Sequence, residues 1–373
     1  MSLRGWPAAA GDAENNQVQI SVVRPGELGP GEIAAWHSMQ CQTRSLVNPF
    51  LCPEFAIAVD KFSDGARVAV LMDGPAIVGF FPFERRRLGV GVPIGAGLND
   101  CEGVIHAPGV EWDPGELLRA CKLAVWQFDH LVAGQRPFER YVAGVAPSPV
   151  IDLTDGFAVY QKRLSEKSPQ FCKDVARKAR KLEREVGQLR FEADSRDVAC
   201  LRTLLKWKSD QYRRSGRVDN FGRRWVVELI EYLFTTHSDQ FGGLLSVLYA
   251  GEGPVAAHFG LRCGDVLAHW FPAYDTRFGK QSPGLIQHLR MAEETAALGV
   301  HIIDMGKGSG RYKQTLKSRD LLVAQGMASR GSLLARPHRL RKDLSSWARR
   351  QVKQHPPLFH ATEKVLLRYN RIG

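Results

Sequence analysis

Apolar residues recur with a period of two in some stretches of the chain and at three- and four-residue spacing in others. Two runs of strand type, 67–72 and 76–83, flank Asp73-Gly74, a hairpin turn signal. A helix is predicted over 114–131, with Asp113 as its N-cap and Pro114 at its first position. Strands at 141–145 and 150–153 follow, and together these elements predict an α and β layer complete by itself. A helical link over 158–189 leads to a strand at 189–192, helices at 196–214 and 223–236, and three strands at 243–249, 254–262 and 265–274. The chain then reads as a helix at 283–298, a strand at 300–304, a short helix at 310–318 and a last strand at 320–328. Three antiparallel strands followed by a crossover helix and another strand predict an α/β fold with a mixed sheet covered on both sides. Ligands of such sheets bind where neighbouring strands diverge.

With 373 residues the chain is long enough for two domains. The pattern divides it into a disordered leader at 1–20, rich in Ala, Gly and Asn, domains at 21–157 and 158–329, and a basic tail at 330–373. The hydrophobic content of 44% and charged content of 24% are those of a soluble globular protein. Seven scattered cysteines without a C-x-x-C pair indicate neither a disulfide framework nor a zinc site, and point to a reducing cytoplasm. Residues 1–17 hold no apolar core of signal-peptide length, and no membrane-spanning apolar run occurs anywhere.

The net charge of +12 is concentrated in two places. Residues 330–373 hold eleven Lys or Arg against Asp343 and Glu363, and residues 173–184 hold six against Asp174 and Glu183. In the second segment Phe171, Val175, Ala179, Leu182 and Val186 form one buried helical stripe, so the basic residues surround it as a solvated face or as a clamp for phosphates or an anionic glycan carrier. In the tail, aromatic and aliphatic residues interleave with Arg and Lys. It is suited to lie on an anionic inner membrane leaflet or to dock on the protein's own surface, and His355-Pro356-Pro357 excludes one long helix.

The densest chemistry lies between His269 and Lys313. An aromatic strand, the turn Gln281-Ser282-Pro283-Gly284 and a helix follow in that order, which makes a phosphate cradle. Unpaired N–H groups and the positive end of the helix dipole hold a pyrophosphate at such a helix start. This assigns Gln281, Ser282 and Gly284 to a nucleotide-bearing ligand, with Arg277 and Lys313 in reach of its phosphates.

The words Gly253-Pro254-Val255-Ala256-Ala257-His258-Phe259-Gly260, His269 through Asp275, Ser282-Pro283-Gly284 and Ile303-Asp304-Met305-Gly306 through Tyr312-Lys313 resemble the CelD-like acetyltransferases of cellulose and exopolysaccharide biosynthesis, within the GNAT superfamily. The first half is similar through Asn48-Pro49-Phe50, Pro53-Glu54-Phe55 and Phe80 through Glu84. The resemblance runs from about Asn48 to Ser329. It implies two tandem GNAT-like acyl-CoA N-acyltransferase domains, as in the related FemAB ligases, the first degenerate and the second catalytic. It also implies acetyl-CoA or another acyl-CoA as cosubstrate, and an amine or hydroxyl acceptor on a sugar, exopolysaccharide or cell-envelope precursor, with polysaccharide-synthesis machinery as a partner. The family's cradle has Gln or Arg, then Gly, then Gly or Ala, where this chain has Gln281, Gly284 and Ile286. A FemAB-like ligase drawing on aminoacyl-tRNA, with tRNA as its nucleic acid, and a non-catalytic scaffold are the alternatives.

Acyl transfer needs a base for the acceptor and an acid for the leaving thiolate. A turn centred on Cys263-Gly264 sets His258 directly opposite His269, with Cβ atoms roughly 5 Å apart. Either imidazole then serves as base, or both are core residues satisfied by hydrogen bonds. No third ligand at useful spacing accompanies the pair, so no metal is expected. Tyr312 follows the glycine-rich loop 306–310, read as flexible. By resemblance Tyr312 is the general acid. Asp304 either holds His269, Tyr312 or Lys313, or caps the following loop. Lys208 and Tyr212 stand in reserve as residues of an acceptor groove.

Overall fold

The computed structural model describes residues 18–95 and 97–330. The leader at 1–20 and the tail at 330–373 lie, apart from their inner edges, outside the described residues. The first half runs β1 (Gln19–Val23), α1 (Pro30–Gln42), α2 (Pro53–Asp60), β2 (Ala66–Asp73), β3 (Ala76–Arg85), β4 (Val90–Pro93), β5 (Ile105–His106), α3 (Pro114–Ala120), β6 (Val125–Val132) and β7 (Val142–Asp152). Linking helices α4 (Phe157–Lys167) and α5 (Pro169–Val186) lead to β8 (Leu189–Glu192), α6 (Val198–Arg214), α7 (Arg224–Thr235), β9 (Phe241–Ala250), β10 (Gly253–Cys263) and β11 (Val266–Tyr274). The chain finishes with α8 (Pro283–Ala297), β12 (Ile302–Asp304), α9 (Arg311–Leu316) and β13 (Arg319–Ser329).

The helix predicted over 114–131 ends at Ala120. Lys122 turns the chain with φ 55°, and Trp126 and Phe128 then bury one face of β6 in the core under α3. Ladder pairing of β6 with β4 and β13 outweighs the helical spacing there. The predicted link is two helices, because Ser168 is non-helical and Pro169 can only begin a helix.

Both halves follow one plan. In each, a strand and two helices precede three antiparallel strands, a helix, and a strand parallel to the last of the three: β1-α1-α2-β2-β3-β4-α3-β6, then β8-α6-α7-β9-β10-β11-α8-β12. All strands belong to one sheet, ordered β1-β2-β3-β4-β6-β13-β7-β12-β11-β10-β9-β8, with β5 on β3. The last strands are exchanged: β13 lies against β6 of the first half, and β7 lies against β12 of the second. The first half is therefore not a complete layer by itself, contrary to its strand pattern. One face of the sheet carries a core shared by α1, α2, α6 and α7. The opposite face is covered by α3 in the first half and by α4, α5, α8 and α9 in the second.

The sheet opens beside β11. β12 pairs with β11 only at Val266, Leu267 and Ala268, and β11 runs on to Tyr274 without a neighbour on that side among the described residues. On the far side of β12, the Pro149 carbonyl accepts the Met305 N–H at 3.0 Å, one bond beyond the paired residues of β12 and β7. Pro147 and Pro149 have no N–H to extend a ladder there. Strand divergence is thus written into β7 as well as into the shortness of β12.

Candidate active site

The opening holds a cavity of about 910 Å3. Its walls are the start of α8 from one face of the sheet, the end of α6 from the other, the free edge of β11, the loop 305–310, and Asp100 from the first half. A second cavity of about 640 Å3 lies between α5 and α9 and shares Leu285 and Tyr312 with the first.

At the α8 end, Ser282 adopts φ 50° and ψ 54°, a left-handed conformation uncommon for a side-chain-bearing residue. Its hydroxyl accepts a 2.8 Å hydrogen bond from Lys178 Nζ, so the basic helix α5 touches the cradle. No side chain caps α8. Gly284 faces the cavity, and a Cβ there would lie 3.3 Å from the Tyr274 ring. Ile286 is 3% exposed and packs inward with Val175, Leu182 and Val255, so its bulk does not narrow the cradle. Of the expected phosphate-side residues, Ser282, Gly284 and Lys313 line the cavity. Gln281 and Arg277 do not: Gln281 donates to Glu185 at 2.7 Å, and Arg277 forks onto Asp275 at 2.6 and 2.8 Å with its side chain 79% exposed.

The histidine register differs from expectation. The turn is Gly264-Asp265, with Cys263 paired to Val266, and a bulge between Phe259 and Leu261 shifts the ladder again, so His258 stands opposite Pro272. The two imidazoles still share a face, with ring centroids 4.3 Å apart and nearly parallel. Gly260 makes this possible: a Cβ there would lie 2.4 Å from the Ala268 carbonyl and 2.7 Å from the His258 ring. His258 is fully buried, lies behind the cavity wall, and has no hydrogen-bond partner for either ring nitrogen among the described residues. His269 lines the cavity, and its Nε2 is 3.2 Å from Nδ1 of His288. The His288 ring stacks on Tyr312 at 5.0 Å.

Burial lowers the basicity of all three histidines, that of His288 to about 4, and the Lys313 charge adds to the effect at His269 and His288. They are neutral near pH 7. Burial pushes the Tyr312 phenol up to about 12, so it keeps its proton. Tyr312 and the His269–His288 pair therefore form a protonated hydroxyl beside unprotonated imidazoles.

Asp304 touches none of these residues. Its carboxylate accepts from the Ser148 hydroxyl and the Gly306 N–H, each at 2.9 Å, and from Asn48 at 3.4 Å, so it caps the loop after β12. Lys313 donates to the carbonyls of Met305, Gly306 and Lys307 at 2.6, 3.0 and 3.4 Å. Lys307 reaches the Asp129 carbonyl at 2.6 Å. The loop read as flexible is pinned from both sides. Behind it, Glu102, Asp129 and His130 bring ligand-type atoms within 4.8 Å of one another, but His130 is already hydrogen-bonded to Asp129 at 2.8 Å.

Among the wall residues that escaped the sequence reading or stood only in reserve are His288, Lys208 and Asp100. His288 lies on the buried stripe of α8 with Gln287, Met291 and Thr295, and Lys208 continues the stripe Leu201, Leu204 and Leu205 of α6. A polar residue on an apolar stripe was the available signal for both. Asp100 sits in a loop and had none. Tyr212, the other reserve residue, lies beside Lys208 without lining the cavity.

Residues 169–314 match the family model described as acetyltransferase (GNAT) domain. That span contains every wall residue of the larger cavity except Asp100. Among solved structures, the C-terminal domain of a candidate lysylphosphatidylglycerol synthetase from Agrobacterium fabrum aligns with a TM-score of 0.50 and 10% identity, over 81% of this chain and 92% of that one. A tandem GNAT protein from the clavulanic acid biosynthesis pathway aligns at 0.48 with 8% identity, over 85% and 99%. FemX aligns at 0.45 with 10% identity, over 70% and 87%. At such identities the likeness is one of fold. No curated protein matches the chain. The fold is mixed α/β, built of two halves that follow one plan, and residues 169–314 of the second half match an acetyltransferase (GNAT) domain. Among the described residues no helix is long and apolar enough to cross a membrane.

Proposed function

We propose that the protein is a cytoplasmic acyl-CoA-dependent acyltransferase, acetyl being the natural acyl group, acting on an amine or hydroxyl of a sugar, exopolysaccharide or cell-envelope precursor. The observation that carries this reading is the passage through the sheet beside β11, with an uncapped helix start on one face, α6 on the other, and His269, His288 and Tyr312 where they meet. The start of α8, with Ser282 and Gly284, holds the pyrophosphate, and Lys178 and Arg311 of the adjoining cavity face the nucleotide end.

In the transfer, the acceptor nitrogen or oxygen forms a bond to the thioester carbonyl carbon, and its proton passes to the neutral His269–His288 pair. Breakage of the C–S bond leaves a thiolate, which takes the proton of Tyr312. The imidazolium returns its proton to the phenolate, so both side chains are restored and the net transfer is one proton from acceptor to thiol.

Thiol release from acetyl-CoA, followed with a panel of amino sugars, sugar phosphates and glycan precursors, tests the reading. His288→Ala and Tyr312→Phe should each lower the rate by about a hundredfold or more without changing the folded state. Full rates in both variants would remove this proton path.

A further inference from the structure

One wall of the cavity, on the face of the sheet opposite α8, is rich in cations. It comes from α6 and the turn after it: Lys208, Gln211, Arg214 and Arg217. Lys208 is 8% exposed, at the end of the apolar stripe of α6, and among the described residues no carboxylate pairs with it. Its ammonium donates to Gln211 Oε1 at 3.1 Å and lies 5.3 Å from the centre of the Tyr212 ring. It also feels the charges of Arg217 and Lys313, and burial lowers its pKa to about 8. A cation removed from water without a counter-ion is costly, and more so beside other cations. Arg214 and Arg217 are exposed and also lack a carboxylate partner among the described residues, whereas Arg213 next to them pairs with Asp210 at 2.6 Å. The helix dipole favours cations in the last turn of α6, but Lys208 stands before that turn and is buried, so the dipole does not account for it. Asp100 is the sole carboxylate in the wall among the described residues.

We propose that this end receives the acceptor, and that the acceptor carries an anionic group, a phosphate or a carboxylate, held by Lys208, Arg214 and Arg217 while its nucleophile reaches His288. The assignment deepens the acyltransfer reading and rests on it for the donor's place at α8. It makes a neutral sugar a poor acceptor and a sugar phosphate or an acidic amine a good one.

Trp207 and Trp270 line the cavity, so intrinsic fluorescence reports its filling. Wild-type protein is titrated with inorganic phosphate and with acetate, alone and with saturating CoA to fill the α8 end, and CoA is titrated separately. Saturable anion binding in the presence of CoA is expected. It should weaken by about tenfold or more in Arg214→Ala/Arg217→Ala and in Lys208→Met, with CoA affinity within about twofold of wild type. The arginine variant is at the surface and keeps the test valid should Lys208→Met fail to fold. Preference for phosphate or for acetate identifies the acceptor's anionic group. Absence of anion binding, unchanged anion affinity in the variants, or a parallel loss of CoA and anion would overturn the assignment, the last by giving these cations to the donor. If CoA does not bind but the anion does, and the α6 variants lose it, the donor reading falls and the anion site stands.

Discussion

His258 is a fully buried imidazole with no partner for either nitrogen, held neutral by its surroundings. The unfolded chain protonates it near 6.5, whereas the folded value is well below that. Acid therefore favours unfolding, and stability is lost as pH falls through 6.5. One such histidine costs about 1.4 kcal/mol between pH 7.5 and 5.5. Urea denaturation at both values should show His258→Leu losing about that much less than wild type, with little penalty at pH 7.5, since no hydrogen bond is broken. Equal losses would mean that His258 is not held neutral. Gly260→Ala should cost about 1–3 kcal/mol, because the added methyl meets backbone as well as the His258 ring; a melting temperature equal to wild type would refute the close packing. The two histidines were visible in the sequence, and their shared face was inferred, but the register was not. A one-residue error in the turn and a bulge at Gly260 move every pairing, and neither leaves a mark in apolar periodicity.

At the scale of elements, α8 and its turn were the most legible part of the site, because a glycine turn before a helix is local information. Neither the left-handed Ser282 nor its hydrogen bond from Lys178 of α5 was legible, since a serine seldom adopts that conformation and the bond joins segments about a hundred residues apart. Lys178→Ala should weaken acetyl-CoA binding by about fivefold in a fluorescence titration while leaving the melting temperature nearly unchanged. Unchanged affinity would reduce α5 to a solvated face. The region after α3 shows the reverse case. Val125, Trp126 and Phe128 fit a helical stripe as well as a strand, and only their partners in β4 and β13 decide between the two.

For the whole molecule, the exchange of β7 and β13 binds the halves into one sheet, and the shared core around Trp36, Phe55 and Leu204 joins them again on one face. Trp270 of the second half donates to the Leu98 carbonyl of the first at 2.5 Å. The second half's elements were legible from strand and helix spacing and the tandem of two halves only through the resemblance, but strand exchange was not legible, because pairings between distant segments are absent from local pattern. Residues 18–157 expressed alone should be insoluble or unfolded, since β6 and β7 would lose β13 from between them. A soluble, folded monomer with a cooperative melt would contradict this. The exchange also positions the opening beside β11, where donor and acceptor are proposed to meet. Isothermal titration of the full chain with acetyl-CoA tests that proposal most directly: one saturable site is expected in the wild type and none in Gly284→Glu, whose carboxylate would enter the cradle. No binding by the wild type, or undiminished binding by Gly284→Glu, would contradict it.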